Sequence, residues 1–261
     1  MTRNRLWLLL AVCALPVLGG CGGGGEETQT DEASSEAPAA DAAAVDTANA
    51  GKVTGAITYD GPDTDTPIAM NADPQCAGLH TTPVDTNAIA VSADKKLANV
   101  FVYVKTGLEG KTFPTPTEKK VLDQQGCLYH PRIQGLQVGQ PLVIKNSDPT
   151  LHNIHALPTA NAEFNQGQPF QNMEFEKTFD KPEVMVHFKC DVHPWMTSYV
   201  GVLPHPYYAV TGDDGSFTID KLPPGNYTIE AWHESLGTQT QQVTVDANGT
   251  ATVNIAFPPK A

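Results

Sequence analysis

Several stretches of this chain alternate apolar and polar residues with a period of two, the pattern of strands with one face in a core. Val53 to Tyr59, Ala98 to Lys105, Pro141 to Lys145, Val184 to Cys190, Tyr199 to Leu203, Gln241 to Val245 and Ala251 to Ile255 all read this way. In the run 184–190 the even positions Val184, Val186, Phe188 and Cys190 share one face, predicted to be inward, and Met185, His187 and Lys189 share the other. Between such runs lie turn signals: Gly212 to Gly215, Leu222-Pro223-Pro224-Gly225, and Asn248-Gly249, which predicts a hairpin joining 241–245 to 251–255. The 22 glycines and 21 prolines, scattered without period, point the same way. The chain is expected to be all-β, and its 261 residues suffice for one large domain or two ordinary ones.

The first 50 residues break the pattern. A basic start (Arg3, Arg5) leads into the apolar run Leu6 to Leu15 and then to Leu18-Gly19-Gly20-Cys21, a signal segment too short to span a bilayer comfortably. Leu-Gly-Gly-Cys resembles the lipobox of bacterial lipoproteins. That resemblance implies cleavage of residues 1–20, lipidation of Cys21, and a place in the periplasm or at the cell surface, anchored to a membrane. An ordinary secretory signal is the alternative. Gly22 to Ala50 is rich in Gly, Ala, Glu, Asp, Thr and Ser and lacks aromatic residues, so it reads as a disordered acidic tether over 21–51. About 29 flexible residues span roughly 30 Å.

Charge narrows the function. With 16 Lys plus Arg against 29 Asp plus Glu the net charge is −13, which repels phosphate backbones and sets nucleic-acid binding aside. Loss of Arg3 and Arg5 with the signal leaves 14 basic against 29 acidic residues, a formal −15. A cationic redox partner such as a basic cytochrome is therefore the expected partner, besides the membrane.

Of five cysteines, Cys13 leaves with the signal and Cys21 carries lipid, so Cys76, Cys127 and Cys190 face an oxidising compartment. Three cannot all pair. Cys76 and Cys127 lie in turn-like surroundings and are the expected disulfide. Cys190 ends an apolar strand, and a lone exported thiol is an oxidation liability unless a metal holds it.

The loop after that strand, Cys190-Asp191-Val192-His193-Pro194-Trp195-Met196, brings together a thiol, an imidazole and a thioether. Upstream, His152 follows Asn146-Ser147-Asp148 and shares parity with Ile154 and Ala156, which favours an inward ring. One thiolate, two imidazoles and a weak thioether suit an ion that cycles between Cu(I) and Cu(II). Thioether is a poor zinc ligand. Each residue also has a bland reading: Met196 as core, His193 as a loop side chain, Cys190 as a small buried hydrophobe.

Cys190-x-x-His193-x-x-Met196 after an apolar strand, with His152-Asn153 upstream, resembles the type 1 (blue) copper proteins, the cupredoxins, and its short loop looks most like that of amicyanin. The resemblance implies one type 1 copper held by His152, Cys190, His193 and axial Met196. It also implies that Asn153 ties the two loops together, and that electrons leave through an exposed edge of His193 framed by Pro194 and Trp195. No second Cys lies in the loop for a binuclear centre, and no His-x-His or His-Cys-His pair signals a multicopper oxidase, so an enzyme is not expected. His187 is expected on a solvated face; His80, His130 and His205 lie in Pro- or Gly-rich turns; His155 is a possible further ligand, and His233 a possible surface contact.

Outside this motif, Thr211-x-x-x-Gly215-x-Phe217 as a hairpin, the Pro224-Gly225-x-Tyr227 turn and the opening strand Val53 to Tyr59 resemble the carboxypeptidase regulatory-like (transthyretin-like) β-sandwich. The expected layout is a cupredoxin-like Greek-key β-sandwich over 119–205, inserted in or next to a regulatory-like β-sandwich built from 52–118 and 206–261. Insertion is preferred because residues after Ala209 supply too few strands to cover their own edges. The function expected is a lipid-anchored blue copper protein carrying single electrons. The alternatives are a copper carrier or storage protein, and a non-redox binding module of the cell envelope.

Overall fold

The computed structural model describes residues 43–44 and 47–260. The signal segment, Cys21 and most of the tether lie outside the described residues. Ala43–Ala44 pairs in parallel with Lys111–Thr112.

The described residues form an all-β molecule of two sandwiches. The first has one sheet of Ser216–Leu222, Gly51–Tyr59, Thr250–Thr252 and Ile255–Phe257, faced by a second of Tyr208–Val210, Phe101–Thr106, Gly225–His233 and Gly237–Val245. Inward Val53, Ile57, Val102, Val104, Ile219, Ile229 and Phe257 fill the space between them, as period two requires. Phe101–Thr106 pairs directly with Tyr208–Val210 through Tyr103 opposite Tyr208. The chain thus leaves this sheet after residue 106 and returns to the same strand's flank at 208.

What lies between is the second sandwich. Its five-stranded sheet runs Phe164–Gln168, His152–Leu157, Glu183–Lys189, Thr197–Leu203, Ile133–Gln137. Its four-stranded sheet runs Met173–Lys177, Leu142–Asn146, Lys120–Gln125, Leu128–His130. Leu122, Leu142, Ile144, Ile154, Val186, Phe188 and Val200 are fully buried between them.

Four expectations change. Gln241–Val245 does not form a hairpin with the segment after Asn248-Gly249. Gly237–Val245 pairs with Gly225–His233, whereas Thr250–Thr252 lies parallel to Gly51–Tyr59 in the facing sheet. Asn248 adopts the left-handed φ of 55° expected of a turn, but the turn crosses from one sheet to the other. The turn at Gly212–Gly215 likewise joins opposite sheets. Val184 is exposed and Glu183 buried, because the register slips between Glu183 and Val186 and reverses the parity upstream of the slip. Finally, residues 68–84, which sequence placed in the first part of the regulatory-like sandwich, pack Ile68, Met70, Cys76 and Val84 against the core of the other sandwich.

The two sandwiches meet on a pair of glycines. Gly135 and Gly201 are register partners in adjacent parallel strands, and the Tyr208 and Phe101 rings lie over them. A Cβ at Gly201 would fall 2.5 Å from the Phe101 ring, and one at Gly135 2.4 Å from Tyr208. Those two rings stack at 5.4 Å. Beside them Arg132 holds Glu234 through two parallel hydrogen bonds.

Candidate metal centre

The strand Glu183–Lys189 ends at Cys190, and Thr197–Leu203 returns antiparallel beside it, so residues 190–196 form a tight connection. The Cys190 N–H donates to the Met196 carbonyl at 3.3 Å, and the Met196 N–H donates to the His193 carbonyl at 2.9 Å. These bonds curl the loop so that the His193 N–H points at Cys190 Sγ, 3.4 Å away. Met196 is fully buried in the same core cluster as Cys190.

The second wall is His152, at the start of its strand. Upstream, the Asn146 side chain donates to the Thr150 and Gln168 carbonyls and accepts from the Asp148 N–H, which folds 146–150 into a compact turn. That turn aims Asp148 at His152, with Asp148 Oδ2 2.9 Å from His152 Nε2. Asn153 joins the walls: its Oδ1 accepts from the Asp191 N–H at 2.7 Å and lies 3.3 Å from Cys190 Sγ.

At the centre, His152 Nδ1 is 3.0 Å from His193 Nδ1, and Cys190 Sγ is 3.8 Å from His193 Nδ1. All three ligand atoms lie within 4.8 Å of one another, and all three residues are buried. Both outer nitrogens already face carboxylates: His152 Nε2 faces Asp148, and His193 Nε2 is 3.0 Å from Asp73 Oδ2. A carboxylate accepts, so each Nε2 carries a proton, and each Nδ1 of a neutral ring offers a lone pair inward. Two lone pairs and a thiol sulfur converging at such distances call for a positive charge between them, either a proton or a metal ion. For a first-row ion with bonds of about 2.0 Å to nitrogen and 2.3 Å to sulfur, a trigonal plane requires ligand separations of roughly 3.5 and 3.7 Å. The donor set fits such an ion.

Electrostatics agree with a thiolate. Burial pushes the Cys190 thiol up, but hydrogen bonds from His152 and from the backbone around Asn153, His193 and Val192 outweigh it and bring the thiol down to about 7. Burial lowers His152, yet Asp148 and Cys190 together raise it above the ordinary histidine range. Burial raises Asp148, and its hydrogen bonds with His152, Cys127 and Gly126 more than reverse that.

Two carboxylates here were not assigned to the site from sequence. Asp73 and Asp148 each had a visible signal: Asp73-Pro74 is a helix N-cap followed by proline, and Asp148 closes the Asn-Ser-Asp turn. Neither signal names a histidine as the partner.

His193 departs from expectation. Its ring is 2% exposed, because the segment carrying Asp73 and Cys76 covers the edge that was expected to face solvent, with Cys76 Sγ 3.4 Å from Nε2. Cys76 is joined to Cys127 in a disulfide, and Cys190 is the free buried cysteine. Trp195 stays partly exposed, with its ring 5.2 Å from that of His193 and its Nε1–H donated to the Cys127 carbonyl. It borders an open cavity of about 270 Å³ lined also by Asp85, Asn87, Tyr129, His130 and Arg132.

The remaining histidines lie apart from the centre. His155 is engaged with Asp191 and Glu163 on the surface. His187 is not on a solvated face: it stacks on Tyr199 at 4.7 Å and bonds Thr197 Oγ1, because the other sandwich covers that face. His205 is buried against the Val104 carbonyl. His233 is 1% exposed and therefore no surface contact; its strand's parity turns it into the first sandwich, beside Phe257.

Residues 200–258 match the carboxypeptidase regulatory-like domain family. A search of curated proteins returned no match to this chain. Among solved structures, a methionine-to-glutamine variant of amicyanin in its Cu(I) form is 21% identical, covering 32% of this chain and 81% of its own, with a TM-score of 0.29. The purple cupredoxin from Nitrosopumilus maritimus is 22% identical, covering 32% of this chain and 97% of its own, with a TM-score of 0.28. The copper-containing nitrite reductase from Thermus scotoductus SA-01 is 19% identical, with a TM-score of 0.31; the match takes in 40% of this chain but only 25% of the reductase.

Proposed function

We propose that this chain is an exported, lipid-anchored copper protein that carries single electrons between redox partners. The observation that carries this reading is the convergence of His152 Nδ1, His193 Nδ1 and Cys190 Sγ, all buried, while carboxylates take both Nε2 positions. His152, Cys190 and His193 would hold one copper, with the Met196 thioether as a weaker fourth partner. Copper bound there would supply a one-electron couple whose reduced form sulfur stabilises and whose both forms imidazole accepts. The chain's own contribution is rigidity. The loop bonds from Cys190 to Met196, and those of Asn153 to Cys190 and Asp191, hold the donors in place before any ion arrives, which keeps reorganisation small. With the His193 edge covered, we assign the exit to Trp195, which is partly exposed with its ring 5.2 Å from that of His193.

No substrate turnover is proposed. All three donors are buried. Export to the periplasm or cell surface and anchoring through Cys21 rest on the lipobox resemblance. Among the described residues, no helix is long and apolar enough to cross a membrane. A mature charge of −15 favours a cationic partner such as a basic cytochrome, and the association rate with it should fall as salt rises.

Addition of Cu(II) to the purified protein tests the reading. The expected result is one copper per chain, an intense visible thiolate-to-copper absorption lost in Cys190→Ala, and a reversible wave in voltammetry. Stoichiometric copper without colour, or colour without a reversible wave, overturns electron carriage.

A further inference from the structure

We infer that Asp73 and Asp148 are positioning residues for the metal-binding imidazoles, and that the Cys76–Cys127 disulfide yokes the two together across the centre. The inference rests on the copper reading for its purpose, but its geometry stands without an ion.

Each half of the disulfide carries one carboxylate. Asp73 caps the short helix Pro74–Gly78, with Oδ1 accepting the N–H groups of Gln75 and of Cys76 itself. A cap needs only that oxygen. The other, Oδ2, is free for His193 Nε2 at 3.0 Å. On the far side, Gly126 and Cys127 turn the chain between Lys120–Gln125 and Leu128–His130 with φ of 64° and 54°. Two successive left-handed residues make a type I′ turn, and here both N–H groups of that turn point at the Asp148 carboxylate, at 2.8 and 2.7 Å. Asp148 in turn faces His152 Nε2 at 2.9 Å. The sequence of contacts therefore runs His193, Asp73, Cys76, Cys127, Asp148, His152, and closes on itself where the two Nδ1 atoms meet.

Such a ring does three things. It fixes both imidazoles in the tautomer that presents Nδ1 to the ion, as carboxylate partners do for metal-bound histidine generally. It adds two negative charges behind the donors, which favours the more positive oxidation state. It also bars His193 from swinging outward, because the cap occupies the space such a swing would need. Trp195 hangs on the same support through the Cys127 carbonyl, so the yoke also holds the exit assigned above.

Two measurements on the full mature chain test this, one with metal and one without. Without metal, long-range proton–nitrogen correlation reads which ring nitrogen bears hydrogen. Nε2–H is expected at both His152 and His193, lost at His193 alone in Asp73→Ala and at His152 alone in Asp148→Ala. With Cu(II), competition against a chelator should show affinity about 10- to 100-fold weaker in each of these variants. Asp73→Asn is the discriminating variant, because asparagine caps a helix as well as aspartate and leaves the local fold intact. Its reduction potential should rise above that of the parent if the charge acts on the ion, whereas a purely structural Asp73 would leave the potential unchanged. Unaltered tautomers together with unaltered affinity in Asp73→Ala overturn the inference. If the tautomers respond but the parent binds no copper, the positioning stands and the copper reading falls. If copper binds and the tautomers are indifferent, the reverse holds. The double variant Cys76→Ser, Cys127→Ser should loosen both histidines at once; if it does not fold, the Asp73 variants still decide.

Discussion

Two of the buried polar clusters among the described residues are built on opposite plans. At the seam between the sandwiches, polar groups close in pairs: Arg132 with Glu234, and Glu230 with Tyr103 and Lys105. There each carboxylate is met by a donor. At the other cluster, pairing is complete only on the outside, where Asp148 and Asp73 take the Nε2 protons. On the inside three electron-pair donors face one another. A buried cluster that satisfies itself holds structure together, and one that satisfies itself everywhere except at a shared point is arranged around a guest.

The contrast predicts different costs. Arg132→Ala leaves the Glu234 carboxylate buried without its partner and should lower stability by about 3–5 kcal/mol, measured by denaturant unfolding. Cys190→Ala, in the other cluster, removes metal binding but should lower the stability of the metal-free protein by about 1 kcal/mol or less, because it also removes a crowded lone-pair donor. Equal losses from the two substitutions would erase the distinction. Next in size is Gly201→Ala. Its Cβ would press on the Phe101 ring and on Met185 Sδ, 2.5 and 2.9 Å away, in a layer packed from both sides. A cost of about 1–3 kcal/mol is expected, with the near-ultraviolet dichroism of the seam aromatics altered and metal binding retained. Loss of metal binding as well would show that the seam and the centre form one unit.

Much of this arrangement is written in local sequence. Alternation marks the inward faces of Leu142–Asn146 and Val186–Phe188, and the spacing of Cys190, His193 and Met196 places them on one loop whatever the rest does. His152 is also marked by parity, although only the pairing of Lys189 with His155 in the folded sheet brings its strand beside Cys190. Three kinds of feature were illegible. A one-residue slip at Glu183 to Val186 reverses parity and cannot be seen in composition. Turn chemistry at Asn248-Gly249 specifies a sharp reversal but not which sheet receives the next strand. The carboxylate behind His193 comes from a residue 120 positions away, and no local rule connects Asp73 to an imidazole. His187 and His233 were misplaced for a related reason, since strand parity says which face a residue is on and not whether another sandwich covers that face.

His233 supplies the smallest effect and the finest test of the comparison. It is a buried histidine near the seam whose Nδ1 accepts from the Ser235 N–H, while its Nε2 has no hydrogen-bond partner among the described residues. Unlike His152 it makes no hydrogen bond to a carboxylate among the described residues, and only the weaker pull of Asp65 opposes its burial. Burial, with Arg132 adding to it, pushes it down to about 4, so it is neutral in the fold at any pH where the unfolded chain begins to protonate it. Between the ordinary histidine value near 6.5 and about 4 the unfolded state binds the extra proton, so stability must fall as pH falls through that window. From pH 7 to about 5.5 the expected loss is about 1 kcal/mol, before the carboxylates begin to titrate. His187 and His205, also lowered chiefly by burial, act with the same sign. His233→Asn keeps an acceptor for the Ser235 N–H and removes the titrating ring, so its unfolding free energy should vary less with pH over this range. His152, raised by Asp148 and Cys190 despite its burial, has the opposite sign: in the metal-free protein its charged form stabilises the fold below the ordinary histidine value and that contribution is lost as pH rises through its elevated one. The metal-free His152→Asn variant should therefore lose less stability than the parent on raising the pH above neutrality, and a slope unchanged in both variants would show that neither histidine's surroundings govern its proton.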